Sequence, residues 1–142
     1  MPDDCLFCRI VDGAVPSFTV LDEPLVLGFL DTRPLFKGHV LLVPRVHVDT
    51  LPDLPRELLP TLMGAVQRTA AAMPVGLGSQ GSFVAANNVV SQSVPHLHWH
   101  VVPRTKGDGL RGFFWPRTRY ASDEEAQEYA ARLAAAIEPP AG

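Results

Sequence analysis

The stretch Val94–Pro103, VPHLHWHVVP, constrains the fold more than any other part of the chain. His96, His98 and His100 alternate in it with Leu97, Trp99 and Val101. Alternation with period two predicts a half-buried strand. Residues i, i+2 and i+4 of a strand point the same way. The three imidazoles therefore share one face, and Leu97, Trp99 and Val101 take the other. Same-face neighbours lie roughly 7 Å apart, twice the rise per residue, within reach of a common ligand or metal. The chain has 5 histidines and places three here. That clustering favours a site over three partly buried polar residues at a sheet edge.

Four more strands are legible upstream. Phe18–Leu21 is short and ends at the turn Asp22-Glu23-Pro24. Leu25–Leu30 is nearly all apolar, so both its faces should be covered, and it stops at Asp31. Asp31 is either a cap on the turn that follows or a ligand for sugar hydroxyls, and spacing alone favours the cap. His39–Val43 follows Lys37-Gly38 and is stopped by Pro44. The short linker between these strands suits an antiparallel meander better than a parallel crossover. Phe83–Ala86 is the fourth, and Asn87-Asn88 with the loop Val89–Ser93 leads from it into the histidine strand.

Two helices complete the pattern. Asp53 can cap one that carries Leu58, Leu62, Val66 and Ala70 at i+4 intervals and ends near Met73-Pro74. Core packing explains its apolar stripe. Asp123–Ile137 predicts the other, with Ser122 as cap and Glu124 and Glu125 in its first turn. The Gly-rich stretch from Val75 to Ser82 lacks any phosphate-loop pattern and reads as a loop. The aromatic run Gly112-Phe113-Phe114-Trp115-Pro116 fits a lid, a dimer contact or plain packing.

At 142 residues one domain is expected. A net charge of −3 without a lysine or arginine block argues against a nucleic-acid backbone binder. A small nucleotide needs only a few donors and remains compatible. The start, MPDDCLFCRI, has two aspartates and no long apolar run, so no secretory leader is expected. No segment approaches the roughly 20 apolar residues of a membrane span. The expected compartment is the cytoplasm, where Cys5 and Cys8 stay reduced. A C-x-x-C pair can hold one metal or act in redox chemistry. Its place at the chain start favours zinc, given two further ligands downstream. His39 and His47, taken singly, read as structural residues.

His96-Leu97-His98-Trp99-His100-Val101-Val102 resembles the signature of the histidine-triad (HIT) family. Three other stretches match in order. Cys5–Ile10 resembles the zinc-binding start of bacterial members, and Phe29-Leu30-Asp31 the purine and ribose segment. Gly38–His47 resembles the family's Gly-His strand that closes on Pro-Lys-x-His, with Arg45 at the lysine position. The resemblance covers about residues 5–104 and leaves 105–142 as a C-terminal extension of a single domain.

It implies an α+β fold of about five antiparallel strands, one long central helix and one C-terminal helix. It implies a homodimer whose two sheets join, and hydrolases or transferases of nucleotides that use a nucleotidyl-histidine intermediate. The implied ligands of a structural zinc are Cys5, Cys8, His47 and His96. The implied nucleophile is His98, aided by His100, Ser93 and Gln92, with Asn87 or Asn88 on phosphate or ribose. Asp31 would accept from ribose hydroxyls, and Leu6, Phe7, Ile10, Phe29 and Leu30 would wall a purine base. The substrate expected is a purine nucleotide derivative, a phosphoramidate or a dinucleoside polyphosphate. His39 is left as a structural residue.

The chain departs from the family in a short loop between Asn87-Asn88 and the triad, and in Ser91, which stands where a glycine usually precedes Gln92. Trp115-Pro116 resembles the C-terminal Trp-Pro of the phosphoramidase branch. Two other functions compete: a non-catalytic nucleotide- or partner-binding module, and a metal-dependent hydrolase with the three histidines around one catalytic metal.

Overall fold

A computed structural model describes residues 4–110 and 117–140. The chain divides into two compact units, Met1–Asp108 and Gly109–Gly142. The first holds α1 (Leu6–Val11), β1 (Thr19–Asp22), β2 (Val26–Leu30), β3 (Val40–Pro44), α2 (Leu59–Leu77), β4 (Gly81–Ala85) and β5 (Trp99–Arg104). The strands form one antiparallel sheet in the order β1-β2-β3-β5-β4. No helix among the described residues is long and apolar enough to cross a membrane.

The strand alternation sorts the core into two layers. Val26, Val40, Leu42, Leu97 and Val101 pack with Leu62, Ala65, Val66 and Met73 of α2. Leu27, Phe29, Leu41 and Val43 face the other way and pack with Cys5, Phe7 and Cys8 of the α1 segment. Both faces of β2 and β3 are covered, as their unbroken apolar runs require. Each fully buried leucine contributes roughly 1.5–3 kcal/mol, and the α2 layer holds three of them, Leu42, Leu62 and Leu97. The thinner α1 layer closes the site.

The histidine strand enters the ladder later than its sequence predicts. Pairing starts at Trp99, opposite Leu42, and His96–His98 run up to it unpaired in the sheet. The Leu97 N–H instead donates to the Val48 carbonyl, 2.8 Å away. Alternation survives without the ladder, because Leu97 is buried in the α2 layer while His96 and His98 meet Phe7.

The long helix differs from expectation at both ends. Asp53 does not cap it; its carboxylate accepts from the Thr50 hydroxyl at 2.7 Å. Two short 3-10 turns, Leu51–Asp53 and Arg56–Leu58, precede α2, and Pro60 sits in the first turn of α2. Proline lacks the donor needed deeper in a helix, so Pro55 stands before α2, and Pro60 is tolerated because the first-turn N–H has no partner within the helix. At the far end α2 runs through Pro74 to Leu77. Met73 is buried, and Leu77 lies over Gly38, where a Cβ would come within 2.4 Å of its Cδ1. These contacts hold the last turn despite the lost bond. Gly78, at φ +71, terminates it and donates to the Pro74 carbonyl.

In the second unit α3 spans Asp123–Ala136. The Ser122 hydroxyl accepts from the Glu125 N–H, as its cap position predicts, and the Glu125 carboxylate accepts from the Ala121 N–H. The aromatic run from Gly112 to Pro116 lies outside the described residues.

Candidate active site and metal centre

The cysteine pair sits on α1. Cys5 caps the helix, and its sulfur accepts the Cys8 N–H at 3.3 Å. One turn of helix thus brings both sulfurs to one side, both buried. His96 Nδ1 lies 3.5 Å from each sulfur, and His47 Nδ1 lies 3.2 Å from Cys8 Sγ. All four donor atoms fall within 4.8 Å of one another. A tetrahedral zinc with usual bond lengths separates sulfur from nitrogen by about 3.5 Å.

The far side of each imidazole is already used. His96 Nε2–H donates to the Pro44 carbonyl at 2.9 Å, and His47 Nε2–H donates to Asp49 Oδ1 at 2.8 Å. Those acceptors take a proton and give none, so both Nδ1 atoms present bare lone pairs to the sulfurs. This is the outer-shell arrangement of metal-binding histidines. Burial, then the neighbouring Cys5, pushes the Cys8 thiol up to about 11. A cation must therefore displace a proton to bind. The donor set fits a closed zinc site.

Two residues along from His96 the ring is used differently. His98 Nδ1–H donates to the His96 carbonyl at 2.8 Å. Its Nε2 keeps a lone pair. The Phe7 ring meets His98 edge-on, with centroids 5.0 Å apart at 88°. Burial lowers the His98 pKa, against the opposing pull of that carbonyl bond. The imidazole is thus neutral and nucleophilic.

His100 is oriented by His39, a residue that looked merely structural. The Leu35 N–H donates to His39 Nδ1 at 3.1 Å, which leaves the proton on Nε2. That Nε2–H donates to His100 Nδ1 at 2.9 Å. In neutral His100 the proton must then sit on Nε2. Burial, then His98 and His39, pulls the His100 pKa down to about 4. Asp31, His39 and His100 also place ligand atoms within 4.8 Å of one another. A metal on His39 Nε2 would need a proton on Nδ1, where Leu35 already donates. The relay of hydrogen bonds therefore runs from the Leu35 N–H through His39 to His100, and Asp31, 3.9 Å from His39 Nδ1, stands beside it.

One cleft is lined by Leu6, Phe7, Ile10, Phe29, Leu30, Asp31, Ser93, His98 and His100 together. It joins nine of the residues singled out from sequence. Asp31 both caps and lines: Oδ1 accepts the Arg33 N–H at 2.9 Å. Gln92, Asn87 and Asn88 are placed elsewhere, as pins of their own loop. Gln92 donates to the Asp49 carbonyl at 2.5 Å and accepts from the Val89 N–H at 2.9 Å. Asn88 accepts from the Leu51 N–H, and Asn87 donates to the Ser91 carbonyl. Val89 and Ser91 have φ of 69° and 62°, the region where the family's glycine would be unstrained.

Sequence reasoning missed Asp49, the carboxylate that orients His47; its position two residues past a candidate ligand was a usable signal. It missed the role of His39, for which no local signal existed. A larger apolar groove, lined by Val20, Leu30, Val40, Arg68, Thr69 and Met73 among others, holds no histidine or cysteine; Arg68 there is paired with Glu23, and the Thr69 hydroxyl donates to the Ala65 carbonyl. The candidate site is therefore the histidine cleft.

A domain with this sheet and a His-φ-His-φ-His segment turned into a cleft belongs to one recognised class. The chain is a member of the HIT family, matching the HIT domain over residues 12–107. It is 34% identical over 116 residues to the adenosine 5'-monophosphoramidase of Saccharomyces cerevisiae, covering 79% of this chain and 70% of that one. A HIT family protein of Bacillus subtilis superposes with a TM-score of 0.86 at 30% identity, covering 97% of this chain and 100% of that one. A zinc-bound histidine triad protein of Mycobacterium smegmatis gives 0.72 at 34% identity, covering 94% and 98%.

Proposed function

We propose that this protein is a nucleotide hydrolase or transferase acting on the α-phosphate of purine nucleotide derivatives. Its substrates are phosphoramidates or dinucleoside polyphosphates, and His98 carries the nucleotidyl intermediate. The observation behind this reading is the state of His98: Nδ1–H is held by the His96 carbonyl, and the ring lines the cleft with a bare Nε2. The names of the adenosine 5'-monophosphoramidase and of an Arabidopsis thaliana adenylylsulfatase, 31% identical over 112 residues, support the reaction class.

His98 Nε2 attacks the α-phosphorus, the bond to the leaving group breaks, and a phosphorus–nitrogen bond forms. Positive charge left on the imidazole is shared with the His96 carbonyl through Nδ1–H. His100 Nε2–H and the Ser93 hydroxyl donate to the phosphoryl oxygens, whose charge positioned donors must stabilise. Water then attacks phosphorus, the phosphorus–nitrogen bond breaks, and the mononucleotide leaves. Leu6, Phe7, Ile10, Phe29 and Leu30 sandwich the purine, and Asp31 accepts from the ribose. Gln92, Asn87 and Asn88 serve the phosphate by holding the loop that carries Ser93.

Cys5, Cys8, His47 and His96 would hold zinc, which supplies a structural cross-link with no open coordination position. The reading with three histidines on one catalytic metal fits less well, because the free Nδ1 of His96 lies 3.5 Å from each cysteine sulfur and groups with Cys5, Cys8 and His47 rather than with His98 and His100. We also propose a cytoplasmic homodimer. The exposed edge strand β4, free of lysine and proline, supports joining of two sheets.

The test is turnover of an adenosine phosphoramidate with product analysis. The wild type is expected to release AMP through an adduct on His98, and His98→Ala to release none. Full activity in that variant would sink the assignment. AMP binding without any turnover would favour the non-catalytic module instead.

A further inference from the structure

The helix α1 has six residues, far below the length at which a helix is stable alone in water. It nonetheless serves two sites. Cys5 and Cys8 belong to the metal centre, while Leu6, Phe7 and Ile10, interleaved with them, line the nucleotide cleft. Phe7 bridges both directly. Its ring meets His96 at 6.0 Å, His98 at 5.0 Å and Phe29 at 5.4 Å, all edge-on.

A second connection leaves the metal centre from His47. Its Nε2–H holds the Asp49 carboxylate, and the Asp49 carbonyl accepts from Gln92. Gln92 in turn accepts from the Val89 N–H, closing the strained loop that delivers Ser93 to the cleft. The base wall and the phosphate loop thus both end on the same four ligands.

We infer that metal binding at Cys5, Cys8, His47 and His96 and nucleotide binding in the cleft are thermodynamically coupled, so that metal occupancy sets nucleotide affinity. This rests on the proposed function and goes past a purely structural role for the metal. Without a cation, α1 keeps its packing of Cys5, Phe7 and Cys8 on Leu27, Phe29, Leu41 and Val43 but loses the cross-link to His47 and His96, leaving only sulfur–imidazole contacts there, and the rest of its ordering must be completed when nucleotide binds. With the cation, that ordering is already done. The α2 layer includes none of the four ligands, so the sheet and α2 do not depend on the metal for their packing. Coupling is reciprocal by necessity: nucleotide must retain metal by the factor that metal retains nucleotide.

The test uses full-length protein loaded with zinc, chelator-treated protein, and AMP as probe. AMP affinity is measured by calorimetry on both forms, with circular dichroism confirming that the sheet and α2 persist. Zinc transfer to a colorimetric chelator is timed with and without saturating AMP. Affinity should fall about tenfold or more on zinc removal, within the usual span of coupling, and AMP should slow zinc transfer. In Phe7→Ala, loaded with zinc, AMP should bind more weakly and no longer slow transfer. Equal AMP affinity in both forms, or a transfer rate indifferent to AMP in the wild type, overturns the coupling. Should chelation unfold the chain, the transfer rate measured on loaded protein decides alone. Failure of the loaded wild type to bind AMP overturns the nucleotide assignment, and the coupling with it.

Discussion

Val89→Gly should stabilise the protein, against the usual direction of a glycine substitution. Val89 has φ +69, where a Cβ costs about 1–2 kcal/mol and a β-branched side chain sits at the upper end. Its side chain is 76% exposed, so truncation loses little burial. Glycine adds freedom to the unfolded chain, which costs about 0.5–1 kcal/mol. The difference is a net gain of about 1 kcal/mol, a rise of roughly 4 °C in Tm for a chain of this size. Thermal unfolding and denaturant titration with an unchanged slope measure it. Val89→Ala, which keeps the Cβ but removes the branching, should fall between the two. A glycine variant less stable than the wild type by about 1 kcal/mol, as at an ordinary site, would refute strain at this position.

His39→Leu leaves the Leu35 N–H and His100 Nδ1 without partners, at about 1–3 kcal/mol each; Tm should drop and kcat should fall more than KM, which steady-state kinetics reads. Leu97→Ala empties a fully buried position in the α2 layer and should cost about 2–5 kcal/mol in denaturant titration, while zinc content stays unchanged. The pKa values of His98, His39 and His100 are all held below their ordinary 6.5 by burial, that of His100 at about 4. Their neutral forms contribute stability that is fully present above pH 6.5 and is lost as the pH falls toward 4, because the unfolded chain takes up protons first. Acid titration followed by circular dichroism should show loss on that side, and the turnover profile should stay flat down to below 6.5 because His98 remains unprotonated there.

The parts of this site that depend on local geometry were legible in the chain. Alternation put His96, His98 and His100 opposite Leu97, and it held even where the ladder did not form. The spacing of Cys5 and Cys8 puts two sulfurs on one side of a single helical turn. Ser122 capped α3 because a cap needs only its own next three residues. Where two local signals competed, the expectation failed: Asp53 is a good cap by type, but Pro55 and two 3-10 turns intervene before α2 starts at Leu59.

Tertiary structure decided how alike residues are used. Asn88 and Gln92 carry the same amide chemistry as phosphate donors, yet each tethers its loop to a backbone group of the Asp49–Leu51 segment that only folding brings near, at 37 and 43 positions' separation. The three histidines are equivalent as residue types and as positions in the alternating pattern. Their proton locations were set by the Pro44 carbonyl for His96, the His96 carbonyl for His98, and a His39 ring 61 residues away for His100. By itself the sequence determined which side chains share a face, because strand periodicity is a property of the backbone. Only the folded chain decided which imidazole nitrogen is bare, because a tautomer is chosen by the group across from it.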